Sequence, residues 1–118
     1  MLTYLQDRFR ADADTLRQRA AALRAGPPQP GPDATTSDRM ADACEDVTML
    51  MASVPHHDDA QAMIDAILAL VPQMQERAEL ERHAPPVRAV YAGAATRIRE
   101  VAEAERRHLE HGSEPSPP

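Results

Sequence analysis

Lysine, asparagine and tryptophan are absent from this chain, and Tyr4, Phe9 and Tyr91 are its only aromatic residues. The core must therefore be built from Leu, Ile, Val, Met and Ala. Every basic residue is arginine, a usage that fits a GC-rich codon bias. The single cysteine, Cys44, excludes an intrachain disulfide framework. No apolar run approaches the roughly 18–20 residues needed to cross a bilayer. Asp7, Arg8 and Arg10 interrupt the N-terminal segment too early for a secretory leader. Phosphate-binding loops, Cys/His zinc spacings, Gly-x-Ser-x-Gly and EF-hand loops are all missing. So are strand-like alternation and internal repeats. A soluble protein of a reducing cytoplasm is expected, with no cofactor and no membrane partner.

Four amphipathic stretches fill the remaining space, separated by proline-marked breaks. They run from Thr3 to Ala25, Ser37 to Val54, Asp58 to His83 and Pro86 to His111. A chain of 118 residues suits one core and is too short for two. The pattern predicts an all-α four-helix bundle over residues 1–112 and a disordered tail at 113–118. Its marks are a proline-rich linker between the first two helices and a kinked third helix.

The first helix carries Leu2, Leu5, Phe9, Leu16 and Leu23 in steps of three, four and seven, with Ala13 and Ala20 beside them. Asp12 and Arg19 fall on or near this seam. Thr3 and Gln6 have capping-box spacing, and Gly26-Pro27-Pro28 marks the stop. Residues 27–36 (PPQPGPDATT) form an extended linker of roughly 30 Å. That reach permits either an antiparallel or a crossed-over first helix. It also permits exchange of the helix between two chains.

Thr35, Thr36, Ser37 and Asp38 are candidate caps for the second helix, and Met40, Ala43, Cys44, Val47, Leu50, Met51 and Val54 form its apolar face. Cys44 lies within that face, beside Glu45 and Asp46, so a buried and inert thiol is expected. Met49 falls off the stripe. In the third helix, Asp58 and Gln61 have capping-box spacing, and Met63, Ile64, Ile67, Leu68, Leu70, Val71 and Met74 make the widest apolar face of the chain. Pro72 predicts a kink, and Leu80 marks the stripe beyond it. Val87, Val90, Tyr91, Ala94, Ile98, Val101 and Leu109 line the fourth helix, and its segment Ala92-Gly93-Ala94-Ala95 allows close approach of another helix. At helical spacing the methionines read as core filler rather than soft-metal ligands.

Charge is unevenly distributed. Residues 1–26 hold five Arg against three Asp, whereas residues 27–60 hold seven acids against Arg39 alone; the whole chain carries −6. This balance argues against nucleic acid as a partner. A basic protein surface would suit the acidic second quarter, although such acids also simply solvate a helix face.

Candidate chemistry is sparse. The sharpest polar cluster is His56-His57-Asp58-Asp59, whose side-chain types all ligate divalent metals. Adjacent residues seldom point the same way, so a metal would need a further ligand such as His83 or His111. The competing reading makes this segment a helix-capping loop. Arg77 and His83, five residues apart in between, resemble the Arg-x(4–6)-His signature of HEPN-type ribonucleases. That resemblance would imply stabilisation and protonation of a phosphodiester transition state. Ala78 stands where the family's polar residue follows the Arg, and nothing else in the chain matches.

The expected function is therefore a small non-enzymatic protein-interaction module, acting as a regulator, a chaperone or a neutralising partner. The alternative is a ligand- or metal-binding bundle using the His56–Asp59 cluster or the Ala/Gly-lined gap near Gly93; a HEPN-like ribonuclease is the weaker alternative. Self-association as a homodimer through the first helix or the region of the first two helices is also expected, with docking of the first helix onto its own chain as the alternative. That helix has a long tether, an unpartnered stripe and an excess of Arg.

Overall fold

The proline-marked breaks of the sequence become the turns of an all-α bundle. The computed structural model describes residues 1–112; the tail expected at 113–118 lies outside them. The helices are α1 (Leu2–Ala25), α2 (Ala34–Ala52), α3 (Ala60–Leu68), α4 (Leu70–Leu80) and α5 (Pro85–Gly112). The third predicted helix is α3 and α4 together, interrupted at Ala69 and bent by 13°. Pro72 has no N–H for the carbonyl of Leu68, so the interruption falls one turn before the proline. The bend is slight because the hydrogen bonds on either side continue the helical path.

The caps differ from the sequence expectation. Met1 precedes α1 and makes no side-chain cap, so the Thr3–Gln6 box does not form. Asp33, not the Thr35–Asp38 cluster, caps α2 by accepting from the Thr36 N–H at 2.7 Å. Asp59 rather than Asp58 caps α3, accepting from the Ala62 N–H at 2.8 Å. In both cases the chain enters the helix earlier or later than the sequence spacing implies, and the nearest upstream or downstream Asp takes the role. Ser37 is fully buried inside the first turn of α2. Gly26 ends α1 in an extended conformation (φ −133°), not the left-handed one.

Ion pairs fix the register. Arg24 meets Asp38 while Arg17 reaches Glu45 at 2.9 Å, so α1 and α2 are antiparallel. Arg106 meets Asp65 at 3.4 Å and Ala78 lies beside Ala92, which makes α3–α4 antiparallel to α5. Ala43 lies beside Val87 and Asp46 reaches Tyr91, so α2 and α5 run the same way. The result is an up-down-up-down bundle.

Between α1 and α2 the linker is shorter than expected, because α2 begins at Ala34. It also folds back. The Arg19 guanidinium donates to the carbonyls of Pro30 and Pro32 at 2.8 and 3.1 Å. Gly31 turns the chain at φ 105°, and a Cβ there would meet the Arg19 Nη2 at 2.9 Å. The linker is thus a pinned turn and not a straight spacer.

The core joins Leu5 and Phe9 of α1, Val47 and Met51 of α2, Ile67, Leu70, Val71 and Met74 of α3–α4, and Val87, Tyr91 and Ile98 of α5. Cys44, Ala13 and Ala41 form a smaller cluster with Leu16 and Val90 packed on it. Met49 is 72% exposed, as its position off the stripe implies, but Leu80 is 75% exposed and does not continue the seam. Ala78, one turn after Met74, carries it instead. The stripe of α1, expected to need a partner, is covered within the same chain. That cover is partial: Leu5 and Phe9 are buried, with Ala13 and Ala20 beside them, whereas Leu2, Leu16 and Leu23 are half-buried.

Asp46 links three helices. Its carboxylate accepts from the Arg77 Nε at 2.7 Å and from the Tyr91 hydroxyl at 2.9 Å. Burial, with this acceptor second, pushes the phenol of Tyr91 well above the usual tyrosine range, so it remains a donor. We expect Asp46→Ala to destabilise the bundle by about 2 kcal/mol, because both donors lose their acceptor, and Tyr91→Phe by about 1 kcal/mol. Urea denaturation with unchanged m-value checks this; a neutral Asp46→Ala would remove the linking role.

Candidate functional site

The residues that the sequence marked for chemistry do not converge. His56, His57 and Asp58 lie exposed in the turn between α2 and α3, where the His56 Nε2 and an Asp58 oxygen are 3.2 Å apart. Asp59 is turned toward the α3 backbone as its cap. Among the described residues, no three His, Cys, Asp or Glu side chains come together as a metal-holding group. Arg77 is engaged by Asp46 on α2, and His83 is exposed in the turn after α4 with no hydrogen bond to it. The acids of α2 are likewise met within the chain. Arg17 binds Asp42 at 2.7 Å and Glu45 at 2.9 Å, lies 3.5 Å from Asp38, and Arg24 also reaches Asp38.

An apolar concavity lies elsewhere, where α1 and α5 flank α2. It is an open groove of about 390 Å³ lined by Phe9 and Leu16 of α1, Cys44 of α2, and Val90, Gly93 and Ala94 of α5, among others. Helix periodicity explains the assembly: positions 9, 12 and 16 form one edge of α1, and 89, 90, 93, 94 and 97 form one edge of α5. Its volume falls within the range of about 300–1,000 Å³ usual for binding clefts.

Gly93 is the feature that the bundle itself does not require. It lies mid-helix, and a Cβ built there has nothing within 4 Å. The close helix approach expected at Ala92-Gly93-Ala94-Ala95 therefore splits. Ala94 and Ala95 are buried in the chain's own packing, while Ala92 and Gly93 are exposed. Glycine in a helix interior costs about 1 kcal/mol relative to alanine.

Two charges border the groove. Asp12 on the α1 side is 3.8 Å from Arg8. Arg97 on the α5 side, half-buried, makes no hydrogen bond or ion pair with any described residue. Sequence reading placed Asp12 near the seam but missed Arg97, because only the juxtaposition of α1 and α5 gives it meaning. Cys44 forms part of the floor and is 3% exposed. Burial, followed by the Asp12 and Glu45 charges, pushes its thiol up to about 11. No strong nucleophile is thereby offered to the groove.

Two outcomes follow from this geometry. Gly93→Ala should stabilise the protein by about 1 kcal/mol, a rise in Tm of about 4 °C, since no internal contact opposes the methyl group; a fall in Tm would place an internal constraint at Gly93. Cys44 should react with thiol reagents at pH 8 about 100-fold more slowly than an ordinary cysteine from ionisation alone, with denaturant restoring the rate. Because its folded pKa is raised, the stability associated with Cys44 is present below pH 9 and is lost as pH rises toward 11. Labelling at the free-cysteine rate would show that the floor is open.

No protein-family model, no curated protein and no solved structure matches this chain.

Proposed function

We propose that the chain is a non-enzymatic interaction module that binds another protein through the groove between α1 and α5. The observation that carries this reading is Gly93. A glycine in the middle of a long helix, with open space above it and apolar side chains on both sides, fits close approach by something outside the chain. The surrounding chemistry supports binding over catalysis. The groove holds no paired acid and base, and its thiol is buried and protonated. Apolar floor and polar border match the general anatomy of protein interfaces.

The same volume also favours a second reading, a small apolar ligand held over Cys44. Native mass spectrometry of protein purified from its host separates the two, since a retained ligand adds a discrete mass.

The direct test is site-specific photocrosslinking in the native host, with the photoreactive residue placed at Ala89 or Gly93 and, as control, at exposed Met49. Discrete protein adducts from the groove positions, absent from the control, are expected. Identical adduct patterns from all three positions, or none from the groove, would reject the module reading.

A further inference from the structure

We propose that the occupant of the α1/α5 groove is a single amphipathic α-helix of a partner protein, carrying a carboxylate that pairs with Arg97. The proposal rests on the interaction-module reading and specifies the chemistry of its partner.

Three observations converge. The first is length. Ala89, Gly93 and Arg97 lie along one edge of α5, and the eight helical steps from Ala89 to Arg97 span about 12 Å. This is a little over two turns, enough to seat an i, i+3/i+4, i+7 apolar row from a facing helix. The second is profile. Ala89 and Gly93 are four residues apart and both exposed, with no Cβ at Gly93, so the α5 wall is lowest where a second backbone would pass. Phe9 and Leu16 on α1 and Val90 on α5 supply the apolar sides. A helix inserts a row of side chains at that low point, as ridges of one helix enter the grooves of another.

The third observation is charge, which gives the occupant an orientation. Arg97, like Arg88, Arg99 and Arg107 of the same helix, has no side-chain hydrogen bond or ion pair with any described residue, and of these four it is the one that lines the groove. Across the groove, Asp12 holds Arg8 only at 3.8 Å. A complementary helix therefore places an acid on its α5-facing edge and a base, or a neutral donor, on its α1-facing edge. A helix with the opposite arrangement would set a cation against Arg97 and an anion against Asp12, which disfavours it.

The test uses the full-length protein and a displayed library of 18-residue peptides with a fixed Leu/Ala helical stripe and randomised flanking positions. A parallel library with two central prolines cannot form the helix. Peptides selected on the unaltered protein should bind it, lose binding on Gly93→Trp, and share an Asp or Glu at one fixed position beside the stripe. Selection on Arg97→Glu should replace that residue by Lys or Arg. Exchanging the acid for its amide should weaken binding about fivefold on the unaltered protein and leave Arg97→Glu binding unweakened. The space above Gly93 lets the Trp variant keep the fold, which its thermal melt verifies; Gly93→Leu serves in its place if it melts early.

Peptides that bind equally well to Gly93→Trp, or an absence of binders, would overturn the groove itself and with it the proposed function. Peptides that need the open groove but show no charge preference, or do not switch with Arg97→Glu, would overturn the acidic-helix assignment alone. So would equal enrichment of the proline-interrupted library.

Discussion

The carboxylate of Asp46 joins what would otherwise be two helical hairpins. α1 and α2 form one and α3–α4 with α5 the other; α2 contributes side chains to both. Apolar packing of Ala43, Val47 and Met51 brings them together without fixing direction. Asp46 supplies the direction, because the Arg77 guanidinium from α4 and the Tyr91 hydroxyl from α5 must reach the same oxygen. The Arg39–Glu81 pair, at 3.4 Å, adds a weaker tie on the same side. With α2 held there against α4 and α5, its opposite flank is left to α1, and the groove is the space that α1 and α5 do not fill.

The sequence-level charge asymmetry has a plain structural resolution. An arginine-rich first quarter and an acidic second quarter face one another as antiparallel helices. Single exposed ion pairs contribute little, yet Arg17 is shared by Asp38, Asp42 and Glu45, and its guanidinium is held well above the usual range by the hydrogen bonds to Asp42 and Glu45. The acids that pointed to a basic partner have found one inside the chain. Among the described residues the arginines without a side-chain hydrogen bond or ion pair, Arg88, Arg97, Arg99 and Arg107, all lie on α5, and Arg97 is the one at the groove.

Periodicity made the helices and most of the core legible. The stripes of α2, α3 and α5 lie where spacing puts them, and Cys44 and Met49 fall on opposite sides of that division. Caps were less legible, because Asp33 and Asp59 act only after the chain has chosen where to turn. Leu80 misled for a related reason: beyond Pro72 the seam passes through the small Ala78, and hydrophobicity alone does not give its phase. The linker's length was readable, but its path depends on two carbonyl contacts of Arg19 and on the positive φ of Gly31. The groove was half visible. The Ala/Gly segment stood out in the sequence, whereas its open side required knowing that α1 and α5 flank the same helix.

The two walls of that groove are anchored unequally. α5 packs against α2 and α4 and carries the fully buried Ile98 and Ala102. α1 is fixed by Leu5 and Phe9 near its start, but from Ala13 onward its fully buried side chains are alanines, while Leu16 and Leu23 are only half-covered. The distal part of α1 relies instead on arginine contacts at the surface, which dissolved salt weakens. One wall of the cleft is thus anchored by bulky buried side chains along its length, and the other by Phe9 at one end and by small alanines beyond it.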